Sequence, residues 1–134
     1  MSVKIAKEYF RRSDDPDASV DDVVALFADD GVLLSPREGV FRGTEEIREF
    51  FELNTEFFDW GKHHMERYHV DGSTVVCEGT IEGETSAGRH YEGVGLVDVM
   101  EFNGEEIAAL RVYLDYSALL TEIPAAAPDF RITS

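Results

Sequence analysis

The chain has 134 residues, 43% of them hydrophobic, and a net charge of −16, which is the profile of one folded domain rather than of a disordered segment. That charge argues against nucleic acid and anionic membrane surfaces as partners, because both need a basic patch. A single cysteine, Cys77, excludes an internal disulfide and a cysteine-based metal cage.

No apolar run approaches ~18 residues, and the N-terminus lacks the basic-then-apolar order of a signal peptide. The expectation is a soluble, cytoplasmic, single-domain protein over 1–134. Its core spans about 3–118, and a tail over 119–134 packs loosely. The basic residues are nine Arg and three Lys. Such acidity with few lysines fits a salt-adapted organism and fits equally a merely acidic, soluble surface. In either case self-repulsion should destabilise the folded state at low ionic strength. The melting temperature should therefore rise as sodium chloride is added; a flat or falling curve would contradict this.

In chain order, Ser2 to Arg12 reads as a helix, with Val3, Ala6 and Phe10 at i, i+3, i+7 and Ile5 and Tyr9 on an adjacent stripe. Ser13-Asp14-Asp15-Pro16-Asp17 breaks it. Ser19-x-x-Asp22 is close to a capping box. It opens a second helix striped by Val20, Val23, Val24 and Phe27, which Gly31 is expected to stop. Val32 to Ser35 is a short strand ended by Pro36. Thr44 can cap a third helix, with Ile47, Phe50, Phe51 and Phe58 as its buried stripe and Trp60-Gly61 as its end.

After Gly61 the apolar period changes from 3.6 to 2. Asp71-Gly72, Ser86-Ala87-Gly88 and Asn103-Gly104 are turn signals that delimit four strands near 63–70, 73–85, 89–102 and 105–117. Consecutive hairpins make an antiparallel meander. Gly79, Gly83, Gly93 and Gly95 are candidate bend or bulge sites. Three N-terminal helices packed on a curved, mostly antiparallel sheet define an α+β roll.

Asp98 is the most informative residue. Alternation places it on one face with Val94, Leu96 and Met100. A carboxylate between apolar neighbours is costly unless it is protonated or paired. The opposite face, with Val97 and Val99, is an equally good core by alternation alone, and Asp98 would then meet water. On the last strand Leu110, Val112 and Leu114 alternate with Arg111, Tyr113 and Asp115. Glu78, Glu82 and Glu84 on the second long strand read as edge-protecting charge. No Gly-rich phosphate loop, nucleophile elbow or Cys/His ligand spacing appears, so neither a cofactor nor a metal is expected.

Leu26 to Phe51 runs helix end, Asp29-Asp30-Gly31, strand, loop, amphipathic helix. That order, with the meander after it, resembles the nuclear transport factor 2-like superfamily with its ketosteroid isomerase-like and SnoaL-like branches. The resemblance spans residues 3 to about 118. It implies a cone-shaped, cystatin-like fold with a pocket between helices and sheet.

Asp98-Val99-Met100-Glu101-Phe102-Asn103-Gly104 is similar to the isomerases' Asp-x-x-x-Phe-Asn-Gly segment, whose aspartate is protonated and helps form an oxyanion hole. Tyr9 falls where that family has its second donor. The general base of the family is an aspartate directly before the proline that ends the short strand. Here Ser35 precedes Pro36, and a serine hydroxyl cannot take a proton from carbon without a base of its own. Replacement bases are Glu38, His63, His64 and His69. The epoxide hydrolase branch uses an Asp–Arg–Asp set, and this chain has Glu78, Thr80 and Val112 at those places.

The resemblance thus implies a small hydrophobic molecule as partner. Tyr9 and Asp98 are the candidate catalytic pair, and Ser35, Phe51, Leu96, Met100, Val112 and Leu114 the pocket wall. The implied activity is acid–base chemistry on a carbonyl compound (isomerase, cyclase or hydratase type), or ligand binding without turnover. A homodimer is also implied, pairing through the open sheet face with Arg111, Tyr113 and Tyr116 outward.

Overall fold

The structure, a computed structural model, describes residues 2–119. Its elements are α1 (Ser2–Asp14), α2 (Val20–Val24), β1 (Phe27–Ser35), β2 (Gly39–Arg42), α3 (Gly43–Phe57), β3 (Phe58–Asp71), β4 (Thr74–Thr85), β5 (His90–Asn103), β6 (Glu106–Leu114) and a 3₁₀ turn, Tyr116–Ala118. The strands form one six-stranded sheet in the order β2-β1-β6-β5-β4-β3. Every pairing is antiparallel except β1 with β6. With three α-helices the fold is α+β. The helices do not all precede the sheet, because β1 and β2 separate α2 from α3. The tail expected over 120–134 lies outside the described residues.

The capping box at Ser19 is formed in both directions: the Asp22 amide donates to Ser19 Oγ at 3.2 Å and the Ser19 amide to Asp22 Oδ2 at 2.9 Å. The helix is nevertheless only five residues long, and Phe27 starts β1 instead of ending the helical stripe. Tertiary pairing overrides the local pattern here, since the Ile107 amide donates to Leu26 O at 2.9 Å and draws the chain alongside β6. The expected stop at Gly31 is corrected as well. Gly31 lies in an irregularity of the β1–β6 register, where a Cβ would stand 3.0 Å from Ala28 O.

β2 is an addition to the expected elements; it folds back on β1 with Ser35 opposite Gly39. Thr44 is not the cap of α3. Arg42 holds that place, and its amide donates to Glu46 Oε1 at 2.9 Å. The helix ends at Phe57, so Phe58 and Trp60-Gly61 belong to β3.

The meander closes through Gly72, Gly88 and Gly104, all with positive φ. Its curvature comes from close backbone crossings. The β3–β4 register shifts between Met65 and Arg67. There a Cβ on Gly79 would lie 2.2 Å from His64 O; beside the second shift, between Phe58 and Trp60, one on Gly83 would lie 2.2 Å from Trp60 O. The shift after Met65 reverses the phase of β3: Gly61, His63 and Met65 are the less exposed positions before it, and Tyr68 after it.

Across the sheet Val75, Met100, Leu110 and Leu33 pair in one row, each fully buried. Ile47 and Phe50 of α3 and Ala6, Tyr9 and Phe10 of α1 close over it. Among the described residues no helix is long and apolar enough to cross a membrane.

Candidate functional site

The next row along the sheet changes character. Cys77 pairs with Asp98 and Asp98 with Val112, so the carboxyl comes directly after the packed apolar row. At this level a cavity of about 460 Å³ lies between sheet and helices, within the range of small-molecule sites. Tyr9 and Asp14 reach it from α1, Phe51 from α3, His63 from β3, Leu96 and Asp98 from β5, and Val112 and Leu114 from β6.

Asp98 is 1% exposed, which settles the face that alternation left open. Among the described residues its Oδ1 has no hydrogen-bond partner. Burial pushes its pKa up to about 7, with nearby His63 pulling it back. Near neutral pH a large fraction of Asp98 is therefore a carboxylic acid, able to donate a hydrogen bond. Tyr9, 4% exposed, is held well above the usual phenol pKa, first by burial and then by the Asp98 charge. It too stays protonated. Two neutral O–H donors thus face one cavity.

The three histidines expected as replacement bases separate sharply. His63 points into the cavity. Its Nδ1 lies 2.6 Å from Asp14 Oδ1, and its amide donates to Asp14 Oδ2 at 2.9 Å. One carboxylate thus grips both ring and backbone. In the neutral ring Nδ1–H donates to Asp14, which fixes the tautomer and leaves Nε2 as the basic nitrogen. Phe10 packs on the ring at 4.9 Å between centroids. His64 and His69 are exposed and pair with Glu82 and Glu78.

Sequence reasoning misses Asp14, which reads there only as part of a helix-breaking run; its partner is 49 residues away. Glu38, the other replacement base, also lines the cavity and accepts from Ser35 Oγ.

Of the expected pocket wall, Phe51, Leu96, Val112 and Leu114 line the cavity. Met100 and Ser35 do not. Met100 sits one row deeper, in the fully buried row with Leu110. Ser35 is fully buried behind Glu38 and Tyr116. Tyr116, expected outward at a dimer face, turns inward and lines the cavity. Arg111 and Tyr113 do face away: Arg111 pairs with Glu101, and Tyr113 is 37% exposed. Cys77 is buried, and burial together with the Asp98 charge pushes its thiol up to about 12, leaving it an inert packing residue. Among the described residues, Glu82, His90 and Glu92 bring ligand atoms within 4.8 Å of one another, with His90 and Glu92 exposed to solvent.

A SnoaL-like domain is recognised over residues 6–110, and the chain belongs to the SnoaL-like domain family. Several solved structures share its fold. A hypothetical protein with a ketosteroid isomerase-like fold from Catenulispora acidiphila DSM 44928, in complex with trimethylamine, is 18% identical over 89% of this chain and 91% of that one, with a TM-score of 0.79. TerC co-crystallised with polyporic acid is 16% identical over 90% and 96%, TM-score 0.79. A candidate SnoaL-like polyketide cyclase from Jannaschia sp. CCS1 is 18% identical over 91% and 90%, TM-score 0.80. Likeness at these identities establishes the fold alone. No curated protein matches the chain.

Proposed function

We propose that the chain is a cofactor-independent acid–base enzyme of isomerase, cyclase or lyase type, acting on a small hydrophobic carbonyl compound. The observation that carries this reading is a buried carboxyl, Asp98, one oxygen of which has no partner among the described residues, in the wall of a cavity it shares with Tyr9. In this reading Tyr9 and protonated Asp98 donate to the carbonyl oxygen, where negative charge grows as an enolate forms. His63 Nε2 takes the proton from the adjacent carbon, and Asp14 stabilises the imidazolium that results. Returning the proton to another carbon completes an isomerisation, expelling a leaving group completes an elimination, and attack on a second carbonyl completes a cyclisation. Similar folds support a small-molecule ligand, since one holds trimethylamine and another polyporic acid.

The enolate-mimic test uses 2-naphthol against 2-methylnaphthalene, measured by calorimetry. The naphthol should bind at least tenfold tighter, about 1.4 kcal/mol. Asp98→Asn should keep most of that preference and Asp98→Ala should lose most of it. Equal binding of the two ligands would remove the paired-donor role.

Ser35 favours a second reading, a binding module without turnover, because the position of the family's base carries a hydroxyl. As to assembly, we propose a homodimer through the sheet face that carries Arg111 and Tyr113. Light scattering should give twice the monomer mass at micromolar concentration, and a monomer would rule the dimer out.

A further inference from the structure

The cavity has a second polar end. Ser35, the last residue of β1, is fully buried, and a hydroxyl in such a place needs a partner. It donates to Glu38 Oε2. The Tyr116 hydroxyl stands 2.9 Å from Ser35 Oγ and donates to the same Glu38 oxygen at 3.1 Å. Both contacts fall on Oε2, and Oε1 takes neither. Arg37 lies over the Tyr116 ring, 5.7 Å from its centroid. Glu38 and Tyr116 both line the cavity. A hydroxyl, a phenol and a backbone turn therefore aim one carboxylate, rather than leave it as a loose surface charge.

The sheet sets how far this carboxylate stands from the donor pair. The parallel pairing of β1 with β6 puts Leu34 opposite Arg111. Continuing that register by one residue brings Ser35 level with Val112, and Val112 pairs with Asp98. Asp98, Val112 and Ser35 thus form one row across three neighbouring strands. At about 4.8 Å per strand, the ends of the row are roughly 10 Å apart, with the apolar Val112 between them. Tyr9 and Asp98 offer protons at one end; Glu38 can only accept one at the other.

We propose that Glu38 is a specificity residue that accepts a hydrogen bond from a hydroxyl at the far end of the ligand. The substrates of this pocket are then hydroxylated carbonyl compounds, with carbonyl and hydroxyl separated by one or two rings. This rests on the reading of Tyr9 and Asp98 as carbonyl donors. A ligand that is apolar at that end would strip water from the carboxylate and return no donor. Sites built around a buried polar group reject such analogues strongly.

Calorimetry on two matched pairs tests this: acetophenone with 4-hydroxyacetophenone, and 2-acetylnaphthalene with 6-acetyl-2-naphthol. In the wild type the hydroxylated member of at least one pair should bind tenfold tighter or better. The ratio should fall to near one in Glu38→Ala. It should persist in Tyr116→Phe, which keeps the carboxylate. A purely structural Glu38 would weaken both members of a pair alike and leave the ratio unchanged, and that result overturns the proposal. A ratio near one in the wild type for both pairs overturns it too. If the parent ketones still bind and depend on Tyr9 and Asp98, only the hydroxyl preference has failed. If none of the four ligands binds, the carbonyl pocket itself has failed with it.

Discussion

Replacing Asp98 by Asn should make the protein more stable, not less, above pH 7. The Asp98 carboxyl is buried and its pKa stands at about 7, against an ordinary 3.8. The folded state therefore binds this proton more tightly than the unfolded chain. The stabilisation from holding it is complete below about pH 4 and is lost as pH rises through 7. A shift from 3.8 to about 7 corresponds to about 4 kcal/mol, an upper figure because the charged site can relax or admit water. Urea unfolding of wild type and Asp98→Asn between pH 4 and pH 9 measures it. The two curves should diverge with pH, the variant being better by about 2 kcal/mol or more at pH 9. Parallel curves would mean that Asp98 ionises normally, and the protonated donor would be lost with it. A residue kept at such a cost to stability is what a functional site predicts.

Gly79→Ala should be among the most damaging single-methyl changes in the sheet. Its Cβ would stand 2.2 Å from His64 O and 2.7 Å from Met65 Cα. Both are backbone atoms, so no side chain can swing aside, and the β3–β4 crossing would have to open. We expect a loss of about 3 kcal/mol or more, or failure to fold. Gly95 is the control. It stands opposite Thr80 on the neighbouring strand, and a Cβ there meets nothing within 4 Å. Gly95→Ala should change stability by less than about 0.5 kcal/mol. Equal thermal shifts for the two variants would show that the crossing at Gly79 does not hold the curvature that opens the cavity.

These two glycines show what the sequence could convey and what it could not. Both are expected at bends, and only one touches the opposing backbone; spacing along a strand carries no information about which crossings are close. The hairpins at Gly72, Gly88 and Gly104 are legible because each turn needs a positive φ that a local dipeptide announces. Asp98 is legible as a carboxylate on an apolar face, and Tyr9 only through resemblance, since a tyrosine on a helical stripe is ordinary.

His63 is harder to read. The β3 register shift after Met65 breaks the alternation that would have sorted inward from outward histidines. The less exposed set Gly61, His63, Met65 is the available signal. Asp14 and Tyr116 are out of reach. Asp14 looks like part of a helix breaker. Tyr116 meets Ser35 across 81 residues, through a parallel β1–β6 pairing that no local pattern encodes. The early end of α2 has the same origin, because β6 pairs with Phe27 and again with Val32, Leu33 and Leu34.

The most direct test of acid–base chemistry in this cavity is proton exchange at carbon. 6-Acetyl-2-naphthol, which carries both the carbonyl and the distal hydroxyl, is incubated with the protein in D₂O; proton NMR reports loss of the acetyl methyl signal whenever an enolate forms. Wild type should exchange these protons well above the buffer rate. His63→Ala should fall by about 100-fold or more while still binding 2-naphthol, and Tyr9→Phe should fall as well. Exchange no faster than buffer in the wild type, or undiminished in His63→Ala, would contradict the catalytic assignment.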